Sequence, residues 1–235
     1  MKILALESTS SVCSVSISED EKQIAEININ AKNTHSENLL PSVEQLLRFS
    51  GTSISEIDLF SYSAGPGSFT GVRIGAATVK GLAFGKNKPC VAVPSLFALA
   101  RGLYEFDGII CPVILARKTQ VYNSLFECSG GKTVRLCDDR VIEISDLEKE
   151  LSKYTGRNIY LTGDGYVICR ENLNNIAISP TPQRLVLPSA YCVSLAALDI
   201  YLSGHASDDK KIFPSYLRLS QAEREREERL KGNII

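Results

Sequence analysis

The chain has 235 residues, 44% of them hydrophobic and 23% charged, and a formal net charge of −1. That length supports one to two folded domains with a substantial core. The near-zero charge excludes a global basic field that would hold nucleic acid by counterion release, so any contact with nucleic acid is expected to be local or made through a partner.

"KILALES", "VCSVSIS" and "QIAEININ" predict three successive strands, rich in β-branched residues and joined by short connections. "THSENLLPSVEQLLRFSG" carries Leu39, Val43, Leu46 and Leu47 at helical spacing, with Thr34 and Glu37 in capping-box positions. Pro41 falls deep enough that its missing N–H is expected to start the helix near 41 or to kink it there. "IDLFSYSA" then predicts a strand, residues 69–85 a helix, "PCVAV" a strand and "PSLFALARGLY" a helix.

The second half repeats the pattern in degraded form, the change falling near Phe106-Asp107-Gly108. "IICPVILA", "QVYNSLFEC" and "KTVRLCDDRVIEI" predict three strands, "SDLEKELSKY" a helix, "NIYLTGDG" a strand and "SAYCVSLAALDIYLSG" a longer helix. "LTGDGYV" is a strand-to-helix junction that serves as a plain turn or admits a ligand. "QAEREREERLKG" predicts a charged tail helix with Glu225–Arg229 and Glu227–Lys231 at supportive spacing. A meander with alternating helices, occurring twice, predicts a two-lobed α/β protein in which each lobe is a mixed sheet flanked by helices. The expected division is 1–105, 106–211, and a segment 212–235 that returns to the first lobe.

"SYSAGPGSFTGVRIGAATVKGLAF" (61–84) is the most distinctive stretch, because each glycine inside a helix costs about 1 kcal/mol relative to alanine. A Walker-type loop is excluded, since Val72-Arg73 follow Gly71 where a lysine–serine pair is required. A dinucleotide fingerprint fails as well: residue 70 is threonine, and the next strand ends in Val93-Pro94 without a carboxylate for a ribose. Gly71 and Gly75 lie one turn apart, followed by Thr78 and Leu82. Such a small-residue stripe lets a second helix approach closely, either within the lobe or from a partner.

Glu7-Ser8-Thr9-Ser10-Ser11 resembles a phosphate-facing hairpin but holds no glycine to bring backbone near a nucleotide. His35 and His205 are too few for a histidine-built metal site, and His35-Ser36-Glu37, being adjacent, fan apart and build no triad. The seven cysteines show no CxxC pair, which argues against a disulfide framework. The opening "MKILALESTSSVCSVSI" is not patterned as a leader, and no run reaches the roughly 18 apolar residues of a membrane span. The chain is therefore expected in the cytoplasm without membrane contact.

"ILALESTS", "THSENLLPSVEQLL", "SAGPGSFTGVRIGAATVKGLAFG" and "PSYLRLSQAERE" together resemble the TsaB (YeaZ) family, the non-catalytic subunit of the bacterial tRNA threonylcarbamoyladenosine machinery. The resemblance implies the actin-like (ASKHA, RNase H-like) fold. It implies a scaffold that binds TsaD and enables threonylcarbamoyl transfer to the adenosine next to the anticodon, with TsaE as a further partner and TsaC as a functional associate. The helices after "THSEN" and "AGPGSFTG" would form the partner surface: His35, Glu37, Asn38 and Leu39 on the first, Phe69, Thr70, Gly71, Val72, Arg73, Gly75 and Ala76 on the second. A homodimer would use the same face when the chain is alone.

Ser95 and Leu99 fall where the catalytic relative carries a histidine pair for its metal, so the resemblance implies no metal and no catalytic residue here. No cofactor of its own is implied. ATP or ADP at the junction with TsaD would be met by Glu7 and Arg117. The segment "LARKTQVY" departs from the family's usual "DARMGEVY", with Leu115 and Gln120 in place of acidic residues. The alternative is an independent enzyme on the same fold, an ATP-dependent small-molecule kinase or a protease. A kinase would need a catalytic carboxylate, for which only Glu7 is well placed.

Overall fold

Alternating branched and small residues near the N-terminus build a meander of β1 (Lys2–Glu7), β2 (Cys13–Glu19) and β3 (Lys22–Ile29). The computed structural model describes residues 1–31, 34–208, 211–215 and 217. β1 is apolar on both faces: Leu4 and Leu6 join one core cluster, Ile3 and Ala5 another. Such a run suits a strand covered by helices on both sides.

Next come α1 (His35–Ser50), β4 (Leu59–Gly65), α2 (Phe69–Ala83), β5 (Cys90–Pro94) and α3 (Ser95–Arg101). The five strands form one sheet in the order β3-β2-β1-β4-β5, antiparallel within the meander and parallel across β1, β4 and β5. α1 starts at His35 and runs through Pro41. Its start is fixed by the capping box, in which the Thr34 amide donates to Glu37 Oε2 at 3.0 Å. Burial of Leu39, Val43 and Leu46 in the core on either side of Pro41 holds the helix through the bond that proline forfeits. Gly51, at φ 65°, closes the helix in the left-handed conformation that glycine adopts most readily.

The second lobe comprises β6 (Gly108–Arg117), β7 (Gln120–Asn123), β8 (Phe126–Ser129), β9 (Lys132–Arg135), β10 (Arg140–Glu143), α4 (Ile144–Leu151), β11 (Ile159–Thr162) and α5 (Tyr166–Asn172). Its sheet runs β10-β7-β6-β8-β9, with β11 parallel to β6. The order β10-β7-β6-β11 thus repeats β3-β2-β1-β4, which is the two-lobed actin-like architecture. Two segments expected as single strands are each two strands. The first breaks at Asn123-Ser124, where Asn123 Nδ2 donates to the carbonyls of Pro112 and Ser124, and Ser124 Oγ donates to that of Cys137.

α6 (Ala190–Leu202) lies within 106–211, yet it packs on the first sheet. Ala190, Val193, Ala196 and Ala197 meet Ile3, Ala5, Leu59, Val91 and Val93. A helix apolar nearly all round needs cover on more than one side, and α3 supplies the rest. Buried Arg101 locks the pair, its Nε 2.8 Å from Asp199 Oδ2 and Nη2 2.6 Å from Glu21 Oε1. Beyond α6, Ser207 bridges to Cys90, Ile212 enters the first-lobe core, and the Ser215 amide donates to Ala64 O at 2.8 Å. The charged helix expected at 221–232 lies outside the described residues.

Candidate partner-binding site

Serine at position 68 caps α2, its hydroxyl accepting from the Gly71 amide at 3.2 Å, and the helix then lies over the turn between β1 and β2. The contact is close. A Cβ on Gly71 would sit 1.8 Å from Ser8 O, and one on Gly75 would sit 2.8 Å from Ser8 Oγ. Ser8 Oγ donates to Gly71 O at 2.9 Å, and the Ser68 amide donates to Thr9 O at 2.7 Å. The Gly71–Gly75 stripe therefore seats the chain's own hairpin turn, neither α1 nor a second molecule.

Half of the expected partner surface turns inward with it. Leu39, Val72 and Ala76 belong to the first-lobe core, and Gly71 and Gly75 are buried. His35 is half-buried and reaches back, its Nε2 2.8 Å from Ser10 O. Glu37 is exposed but spends its carboxylate on the α1 cap, and Asn38 is half-buried. Phe69 is half-buried under the Arg73 guanidinium, 5.2 Å from the ring centre. Thr70 and Arg73 do face outward.

What α2 offers to solvent is a different line: Thr70, Arg73, Ala77, Gly81 and Phe84. Ala77 and Gly81 are one turn apart, and a Cβ on Gly81 would meet nothing within 4 Å. On the same line as this outward small-residue step stands Phe84, at 75% exposure; α1 exposes two further large apolar side chains, Leu40 at 55% and Phe49 at 71%, a half-turn apart around its axis. Lys80 lies 4.5 Å over the ring of Phe213, itself 64% exposed. Exposed large apolar side chains on two helices of one face, with Arg48 and Arg73 also exposed, have the make-up of an interaction surface. The sequence signal for it was Gly81, the third glycine of the helix.

The cleft residues behave differently from expectation. Glu7 is fully buried, and its Oε1 accepts from the Thr9 amide and hydroxyl, each at 2.6 Å. Burial pushes its carboxyl pKa up, opposed mainly by the two Thr9 hydrogen bonds. Ser95 Oγ lies 2.8 Å from Ser63 Oγ and donates to Thr9 Oγ1 at 3.4 Å, and Leu99 is buried. Glu7 is thus covered by the α2 junction and placed to support the turn from within. Arg117 is exposed at the β6–β7 turn, beside Lys118 and Leu115. At 115 and 120, where the family usually carries acidic residues, Asp164 of the β11–α5 junction accepts from the Leu115 amide at 2.8 Å, and Gln120 donates to Glu143. Burial raises the Asp164 carboxyl, with backbone amides of Leu115 and Gly165 opposing.

The sign of the Glu7 effect follows from its raised value. A carboxyl that holds its proton more tightly when folded stabilises the fold at low pH, and that contribution fades as pH climbs from the ordinary carboxylate range through the raised folded value. Glu7→Gln keeps an acceptor for Thr9 and cannot ionise. Thermal melts between pH 4 and pH 9 are expected to show wild-type stability falling relative to Glu7→Gln over that interval. Parallel curves would mean that Glu7 does not titrate abnormally.

Comparison with known proteins places this geometry. Residues 24–225 match the family model described as TsaD, tRNA N6-adenosine threonylcarbamoyltransferase. A tRNA threonylcarbamoyladenosine biosynthesis protein TsaB from Bacillus subtilis is 30% identical over 228 residues, covering 95% of this chain and 96% of that protein. The TsaB of Haemophilus influenzae is 28% identical over 226 residues, covering 93% and 94%. A solved structure of YeaZ from Pseudomonas aeruginosa, 26% identical, covers 92% of this chain and 99% of its own with a TM-score of 0.76.

Proposed function

The chain belongs to the TsaB family of tRNA threonylcarbamoyladenosine biosynthesis proteins, and we propose that it acts as the non-catalytic partner of a TsaD-type transferase, docked through the exposed α1/α2 face. The observation that carries this reading is the outward Ala77–Gly81 step of α2 in line with exposed Phe84, with Leu40 and Phe49 also exposed on α1. Standard interfaces bury roughly 800 Å² per partner. α1 and α2, which run in the same direction as return crossovers between parallel strands, carry exposed Leu40, Phe49 and Phe84 toward such a contact without rearranging the core.

The non-catalytic assignment is supported by the residue types at 95 and 99, where buried Ser95 and Leu99 stand in place of the histidine pair that the resemblance gives the catalytic relative. ATP or ADP belongs, on this reading, to the junction with TsaD, where Arg117 and Lys118 project from the β6–β7 turn. TsaE is a further member of the assembly and TsaC supplies its substrate. tRNA is reached through TsaD, in the cytoplasm, and the same face closes a homodimer when TsaD is absent. Among the described residues no helix is long and apolar enough to cross a membrane.

Light scattering on the purified chain, alone and mixed with TsaD in the presence of ATP, tests the reading. A 1:1 or 2:2 assembly is expected at micromolar concentration. Two well-folded proteins that elute separately under every nucleotide condition would remove the scaffold role.

A further inference from the structure

A cavity of about 660 Å³ opens on the opposite side of the first sheet from α1 and α2, between β3, the turn 102–106 and the segment 183–195. Its polar wall is made by a β-bulge. Ile17 pairs with Ala25 and Ser18 with Gln23, so Ile24 is an extra residue. The extra residue brings Gln23 onto the same face as Glu26, Asn28 and Asn30. All four line the cavity, together with Gln183 and the rings of Tyr104 and Tyr191, over a floor of apolar side chains from 185–188 and 195. Asn28, Asn30 and Gln183 make no side-chain hydrogen bond among the described residues.

The helix end and the carboxylates of the lining are set against an anion. The N-terminus of α6 points at this wall, but its first amides are already taken. Ala190 donates to Ser14 Oγ at 2.9 Å, Tyr191 to Glu26 Oε1 at 2.8 Å, and Cys192 to Ser189 Oγ at 3.4 Å. The Glu26 carboxylate therefore neutralises the helix end that would otherwise attract phosphate. Among the described residues of the lining Arg184 is the one cation, set against Glu26 and Glu105.

Uncommitted carboxamides pair in bidentate fashion with the edges of nucleobases, and tyrosine rings stack on their faces. The volume lies within the 300–1,000 Å³ range of small-molecule sites. We propose that this cavity is a binding site for an uncharged nucleoside or free nucleobase, recognised by its base edge and not by phosphate.

Isothermal titration of the full chain with adenosine, AMP and glucose tests this. Adenosine is expected to bind saturably, AMP no tighter than adenosine, and glucose not at all. Asn28→Ala combined with Gln183→Ala, both at exposed positions, should weaken adenosine at least tenfold with an unchanged melting temperature. Arg184→Gln should leave adenosine binding as it was. Absence of saturable adenosine binding overturns the proposal. So does AMP binding tenfold tighter, glucose binding in its place, or adenosine binding indifferent to the carboxamides but sensitive to Arg184.

Discussion

Gly71→Ala is expected to lower stability sharply, whereas Gly81→Ala, ten residues along the same helix, is expected to raise it. The added methyl at 71 would stand 1.8 Å from the carbonyl oxygen of Ser8, an atom of the backbone. No rotamer change relieves that overlap; either α2 or the β1–β2 turn must move. The turn is held by the Ser68–Thr9 and Ser8–Gly71 hydrogen bonds and has Glu7 buried beneath it. Overpacking of a rigid site costs about 1–3 kcal/mol and more when backbone must shift, so a loss of about 3 kcal/mol or more is the expectation. For a chain of this size that corresponds to a melting temperature lower by roughly 6–12 °C. At 81 nothing lies within 4 Å, and alanine there gains about 1 kcal/mol of helix propensity. Circular dichroism melts of the two variants give the comparison directly. Equal stabilities would mean that α2 does not rest on the Ser8 turn.

The difference between those two glycines marks where the sequence stopped being legible. Strand and helix order in the first lobe follows from hydrophobic period and turn chemistry, and it reads directly from residues 2–101. The phase of α2 does not. Its small residues fall on two lines, Gly71–Gly75 and Ala77–Gly81, and period alone cannot say which one faces the protein. The deciding contact is Ser8, 63 residues away in sequence and adjacent only after β1 and β4 have paired. Likewise Asn123 and Ser124 sit in a run that reads as one strand; their burial and hydrogen bonds to Pro112 and Cys137 set the break. The role of Asp164 was hidden for a similar reason, because its partner is the backbone of Leu115 on another strand. Local propensity reached the elements. The site depended on contacts between lobes and hairpins that no window of sequence contains.

The second large effect concerns the outward line. Ala77→Arg is expected to weaken association with TsaD at least a hundredfold while leaving the melting temperature within about 2 °C of wild type. Residue 77 is exposed, so the longer side chain meets no part of its own molecule, and surface substitutions away from special features usually change stability by no more than about 0.5 kcal/mol. In a close helix–helix contact the same side chain would separate the two backbones and bury a guanidinium with no partner arranged for it. Breaking such packing and leaving a charge unpaired costs several kcal/mol, and each 1.4 kcal/mol is tenfold in affinity. Gly75→Arg is the wrong probe, because it strikes Ser8 and Tyr62 inside the lobe and would lose the complex by losing the fold. Ala77→Arg separates the two outcomes. If it stays folded and binds TsaD as tightly as wild type, the α1/α2 face is not the docking surface. The exposed Val134 and Leu136 of the second lobe would then be the next apolar region to substitute.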